Sequence, residues 1–140
     1  KKSLNFIENE KFLVSYGDGI ANINFRNYLN IFKKYKKSII ACKKVNSQFG
    51  HLNIIKNKII SFDEKPVLND PINIGYYLLT KKIFKKFYQS NTELENNFIK
   101  KLIKKNKIIP YIHRGFFFNI DRKIDLDNIK KKFKKIILTL

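Results

Sequence analysis

FLVSYGDGIANIN, residues 12–24, opens as an apolar run and stops on glycine, aspartate, glycine. The run reads as a buried strand over 12–16, so the question is why such a strand should end on a carboxylate. In open α/β sheets, ligands bind beyond the carboxyl ends of strands, which is where Asp18 falls. An aspartate at that position is more often an ordinary turn residue than a ligand. The answer depends on what the rest of the chain places beside it.

Beyond this stretch, short apolar runs alternate with longer amphipathic segments, the pattern of an α/β layer architecture. Residues 25–35 carry Phe25, Tyr28, Leu29 and Phe32 at helical spacing, and 38–42 read as a second strand. Residues 52–55 and 58–62 flank Lys56-Asn57, a hairpin turn signal. Pro66 and Pro71 bracket a loop, and 72–79 return to strand. Helices are expected over 80–88 and 92–105, the second with Leu94, Phe98, Leu102 and Ile103 on one face. Strands follow at 108–112 and 116–120. A closing helix spans 124–138, with Asp125 and Asp127 near its positive end. No repeat, linker or boundary interrupts the chain, and 1–140 is expected to form a single domain.

Composition narrows the function classes. The 140 residues are 44% hydrophobic and 14% aromatic, enough for a packed core. No apolar run approaches the roughly 20 residues of a membrane helix, and no secretory signal precedes the first strand. The single cysteine, Cys42, leaves no internal disulfide framework and fits a small buried strand residue in a reducing cytoplasm. Net charge is +19, yet the excess is nearly all lysine spread through every segment; the arginines are Arg26, Arg114 and Arg122. Nucleic-acid readers lean on arginine forks, so the lysines are read as solvated surface and no nucleic-acid or membrane partner is expected.

Five pieces then line up in order: Tyr16-Gly17-Asp18-Gly19; Gln48-Phe49-Gly50; Phe62-Asp63-Glu64-Lys65-Pro66; Ile72-Asn73-Ile74-Gly75-Tyr76; and Phe117 to Asp125, FFNIDRKID. Singly each has a plain structural reading. Glycine allows close backbone approach, Gly75 suits a bulge, and Glu93 and Glu95 suit a helix N-terminus. His51 and His113 have no partners at metal-ligand spacing. As an ordered set, with Leu94-Glu95 and YIHRGFFFNID at 111–121, the pieces resemble the sugar-1-phosphate nucleotidyltransferases, and most closely their cytidylyl-transferring members.

The resemblance implies a partial Rossmann-like nucleotidyltransferase fold, a mixed sheet flanked by helices. It implies CMP transfer from CTP to glucose 1-phosphate, with release of pyrophosphate and formation of a nucleotide sugar. Guanylyl or thymidylyl transfer, or a non-catalytic nucleotide-sugar-binding homologue, are the alternatives. In the family the two motif aspartates hold one Mg²⁺; at the matching positions these are Asp18 and Asp121. Lys65 would hold the sugar phosphate and Glu64 would accept from sugar hydroxyls. Asn73 and Gly75 would line the sugar pocket, Gly50 the neighbouring backbone approach, and Gly17 the nucleotide side. Homo-oligomers are the family's usual state. The family's glycine-rich, arginine-bearing loop has no counterpart, since residues 1–11 contain no glycine. The chain is therefore expected to be the C-terminal portion of the catalytic domain, with little or no turnover alone. Arg122 stands where the family usually has threonine, Ile74 where it has glycine, Gln48 where it has arginine, and Phe117 where tryptophan is often seen.

Overall fold

The computed structural model describes residues 2–89 and 92–137. Along the chain run β1 (Lys11–Ser15), β2 (Gly19–Ala21), α1 (Phe25–Tyr35), β3 (Ser38–Lys43), β4 (His51–Ile55), β5 (Lys58–Asp63) and β6 (Ile72–Thr80). They are followed by α2 (Lys81–Phe87), a π-helical segment (Leu94–Ile99) continuing into α3 (Lys100–Lys104), β7 (Ile108–Ile112), β8 (Phe117–Asn119) and α4 (Lys123–Ile137). The expected end of the last helix at 138 lies outside the described residues. Four strands form the main sheet in the order β1-β6-β3-β7. β6 is antiparallel to both neighbours and β3 is parallel to β7, so the sheet is mixed.

The burial of β1 differs from expectation. Phe12 and Val14 are half-buried while Lys11, Leu13 and Ser15 are exposed. β1 has a partner on one side only, and an edge strand alternates its faces instead of burying both. Among the strands, the fully buried positions fall on the inner pair β3 and β6. Successive residues of β6 point to opposite faces. Tyr77 and Leu79 join Phe84, Phe98, Ile99 and Leu102 beneath α2 and α3. Ile74 and Leu78 join Ile23, Tyr28, Ile39 and Ala41 beneath α1.

Local chemistry sets the element ends. The Asn24 side chain caps α1 by accepting from the Asn27 N–H at 3.0 Å. Lys36, with φ +53°, turns the chain out at the other end. Lys56 and Asn57 both have positive φ (45° and 64°), the two-residue turn their positions between strands predicted. Pro110 is tolerated in β7 because that strand is an edge. One expected face is corrected: Phe98 and Leu102 are buried, but Ile103 is 61% exposed and Ile99 takes its place. The wide turns over Leu94–Ile99 rotate the register before α3 begins.

Two features position the cleft described below. Gly75 breaks the regular run of β6 with φ +76°, near the register shift in its pairing with β3. A Cβ there would collide with the Tyr16 ring. The second feature is the short antiparallel pair β2-β8, not expected as a strand at its first member. Gly75→Ala should therefore cost more than about 1 kcal/mol in urea denaturation, from left-handed strain and the displaced Tyr16. Gly17→Ala, with nothing within 4 Å of its Cβ position, should change stability far less. Equal midpoints for the two variants would contradict this account.

Candidate functional site

The β2-β8 ladder pairs Gly19 with Asn119 and Ala21 with Phe117. One step beyond it, the Ile120 N–H donates to the Asp18 carbonyl at 2.8 Å. Asp18 thus enters this ribbon and Asp121 leaves it at the same end. The Tyr76 hydroxyl, from the main sheet, donates to the Gly19 carbonyl at 2.8 Å and ties the ribbon to β6. Gly19 has room for little else: a Cβ would lie 3.3 Å from the Phe117 ring.

Both aspartates line a cleft of about 750 Å³. Its walls include Tyr16, Asn73, Asn46, Gln48 and Asn119, with Ile72, Ile74 and Phe117 as apolar surface. Asp121 accepts from the Asn119 amide at 2.7 Å. Among the described residues no three His, Cys, Asp or Glu side chains gather as a metal cage. Two carboxylates on an open cleft are nevertheless a fitting donor set for Mg²⁺, which is commonly held by one or two carboxylates with substrate phosphates completing its shell.

Asp125, in the first turn of α4, and Arg122, just before it, also line the cleft. The Asp125 carboxylate accepts from the Arg122 backbone N–H at 2.9 Å, closing the helix start. It also accepts from Arg122 Nε at 3.4 Å and Nη2 at 3.2 Å. The hydrogen bonds from Arg122 hold the Asp125 carboxyl below the usual carboxylate range, and the same pairing raises Arg122.

A polar network backs the opposite wall. The Tyr16 hydroxyl meets the Tyr77 hydroxyl at 2.8 Å and donates to Glu95. The Asn73 amide donates to Tyr77 at 2.7 Å and to Tyr16 at 3.2 Å, while its oxygen accepts from the Gly75 N–H at 2.9 Å. Burial and the Glu95 contact push the Tyr16 phenol above its ordinary value, so it stays a neutral donor. Glu95 lies in the first turn of the Leu94–Ile99 segment, as its sequence position suggested, and also serves this network. No local pattern could have shown it, because Tyr16 lies 79 residues away.

The other residues singled out from sequence fall outside the cleft wall. Gly75 lies buried under Tyr16, and Gly17 is exposed in the turn before Asp18. Gly50 sits against Phe62, whose ring would be 2.5 Å from a Cβ. Glu64 and Lys65 follow β5 as an exposed pair 3.8 Å apart, and Lys65 has φ +47°. The structure therefore brings together Asp18, Asp121 and Asn73, but not Glu64, Lys65 or Gly50.

Comparison with known proteins gives this geometry a family. The chain is 32% identical over 133 residues to the probable glucose-1-phosphate cytidylyltransferase of Bacillus subtilis (strain 168), covering 93% of this chain and 52% of that protein. It is 30% identical over 124 residues to the D-glycero-alpha-D-manno-heptose 1-phosphate guanylyltransferase of Campylobacter jejuni, covering 86% and 54%. In fold it is similar to the crystal structure of HddC from Yersinia pseudotuberculosis, with a TM-score of 0.67 at 22% identity over 94% of this chain and 59% of that one. The chain spans about half the length of the curated relatives it matches. A model of the nucleotidyl transferase family matches residues 1–109, and the chain belongs to that family.

Proposed function

We propose that this chain is the C-terminal part of a sugar-1-phosphate nucleotidyltransferase catalytic domain, carrying its metal and sugar-phosphate residues. The observation that carries the reading is the convergence of Asp18 and Asp121 at one end of the β2-β8 ribbon, on a cleft lined with amides. The reaction forms a bond between a sugar-phosphate oxygen and the α-phosphorus of a nucleoside triphosphate. The α–β bridging P–O bond breaks and pyrophosphate leaves with its electron pair. Asp18 and Asp121 would hold Mg²⁺, which when bound offsets the negative charge of the reacting phosphates. The remaining work is positioning and charge stabilisation.

In this reading Asn73, kept in place by Tyr16 and Tyr77, presents a fixed wall to the sugar. Glu64 accepts from sugar hydroxyls, and Lys65 contributes a point charge to the phosphate. Gly75 shapes the sugar pocket through the Tyr16 contact, Gly50 admits close backbone approach, and Gly17 leaves the nucleotide side open. CTP and glucose 1-phosphate are the proposed substrates, on the strength of the Bacillus subtilis relative's name and the YGDG tetrad. Guanylyl transfer is the second reading, favoured by the similar identity to the Campylobacter jejuni relative.

Two outcomes follow. Calorimetric titration with CDP-glucose in Mg²⁺ should show metal-dependent binding. Asp18→Asn and Asp121→Asn should each weaken it by at least the roughly 10- to 100-fold known for loss of outer-shell partners. Binding that ignores both substitutions would end the reading. In a pyrophosphate-release assay with CTP and glucose 1-phosphate, the 140-residue chain alone should give no signal above background, since it spans about half the length of its curated relatives. Ordinary turnover by this chain would refute the assignment as a partial catalytic unit.

A further inference from the structure

The charges lining the cleft are Asp18, Asp121, Asp125 and Arg122. Among the described residues Arg122 is thus the one cationic side chain on its wall. Lys132 lines the adjoining hollow, with its ammonium 5.0 Å from the centre of the Phe118 ring. Lys65 lies outside the cleft wall altogether, beside Glu64. A phosphate entering between three carboxylates meets repulsion unless cations face it. A metal between Asp18 and Asp121 supplies one such charge and Lys65, in the reading above, another from the loop after β5; on the cleft wall itself the protein's own cation is Arg122.

The guanidinium is placed for this role and largely free for it. A guanidinium has five N–H donors in a rigid fork. Two of them, one on Nε and one on Nη2, are directed to Asp125, and the side chain remains 76% exposed. The Asp125 contact leaves three of the five donors without a protein partner among the described residues. The remaining polar wall consists of neutral groups, the amides of Asn46, Gln48, Asn73 and Asn119 and the Tyr16 hydroxyl. Such groups suit a body of hydroxyls. One ligand combines a polyhydroxyl body with a dianionic end: a sugar phosphate.

Resting on the nucleotidyltransferase reading, we propose that Arg122 binds the phosphoryl group of the sugar 1-phosphate in this cleft and fixes its orientation beside Asp121. The role belongs to this chain's own sequence, since the position after the late aspartate is usually threonine in the family it resembles. Asp125 is the positioning residue that holds the fork.

The test follows the arginine side-chain Nε–H signals of the full chain by NMR in Mg²⁺, with Arg26 and Arg114 as internal references. Glucose 1-phosphate should move the Arg122 signal and leave the other two in place; glucose should move none. A shift with inorganic pyrophosphate but not with glucose 1-phosphate would overturn the assignment to the sugar phosphate. By calorimetry Arg122→Gln should weaken glucose 1-phosphate binding about 10- to 100-fold, the scale of hydrogen bonds to charged groups. Arg122→Lys, which keeps charge but loses the fork, should fall between that and the parent. Unchanged binding in Arg122→Gln, with Asp18→Asn weakening it, would overturn the role of Arg122 and leave the broader reading standing. If the parent shows no Mg²⁺-dependent binding of glucose 1-phosphate, the broader reading itself fails.

Discussion

The antiparallel pairing of β2 with β8 is the constraint on which the site depends. Each strand has only three residues, and a two-stranded ribbon of that length has little stability of its own. It persists because it is fastened at several points. The Ile120 N–H reaches the Asp18 carbonyl, Tyr76 reaches Gly19 from the main sheet, and Phe117 packs over the face of Gly19. A ribbon of period two carries register information in every residue. A slip by one would turn Asp18 or Asp121 away from the cleft, so the ladder sets which carboxylates meet.

The bulge at Gly75 does the same for the other wall. With no side chain and a left-handed φ, it lets the Tyr16 ring lie directly against β6. That brings the Tyr16 hydroxyl within reach of Tyr77, Asn73 and Glu95, joining the turn before Asp18 to the π-helical segment. Buried or half-buried polar groups are costly unless each finds partners. The network meets that condition and in doing so fixes the residue two before Asp18. Both walls are thus held by contacts between segments far apart in sequence.

That distance explains what could and could not be read from the chain beforehand. The helix at 25–35, the Lys56-Asn57 turn and the strand from 72 declare themselves through local chemistry: a cap, two residues tolerant of positive φ, an apolar run. β2 did not, because Gly19-Ile20-Ala21 carries no alternation and is a strand only by virtue of its partner. The same holds for the second role of Glu95, which sits in the first turn of its helical segment as expected but also meets Tyr16. The buried character expected of 12–16 failed for a topological reason. Apolar composition cannot tell an inner strand from an edge, and here β6 and β3 took the centre. For the site, Asp18, Asp121 and Asn73 were found together, while Glu64 and Lys65 remain on the exposed loop after β5.

The charge pattern gives these facts a common sense. The chain carries +19 overall, yet the charges on the wall of the cleft that holds Asp18 and Asp121 are three aspartates and one arginine. A strongly positive surface raises the local concentration of anions and speeds their arrival. It confers no selectivity, since exposed charges are screened within about 10 Å at ordinary ionic strength. Selectivity has to come from the cleft, where the carboxylates repel any anion that does not bring or meet a cation. On the proposed reading, a phosphate drawn toward the protein by its many lysines would be accepted only where the aspartates' own charge is answered. With Arg122 on the wall of an acidic cleft, held by Asp125, that acceptance would be a matter of geometry and not of total charge.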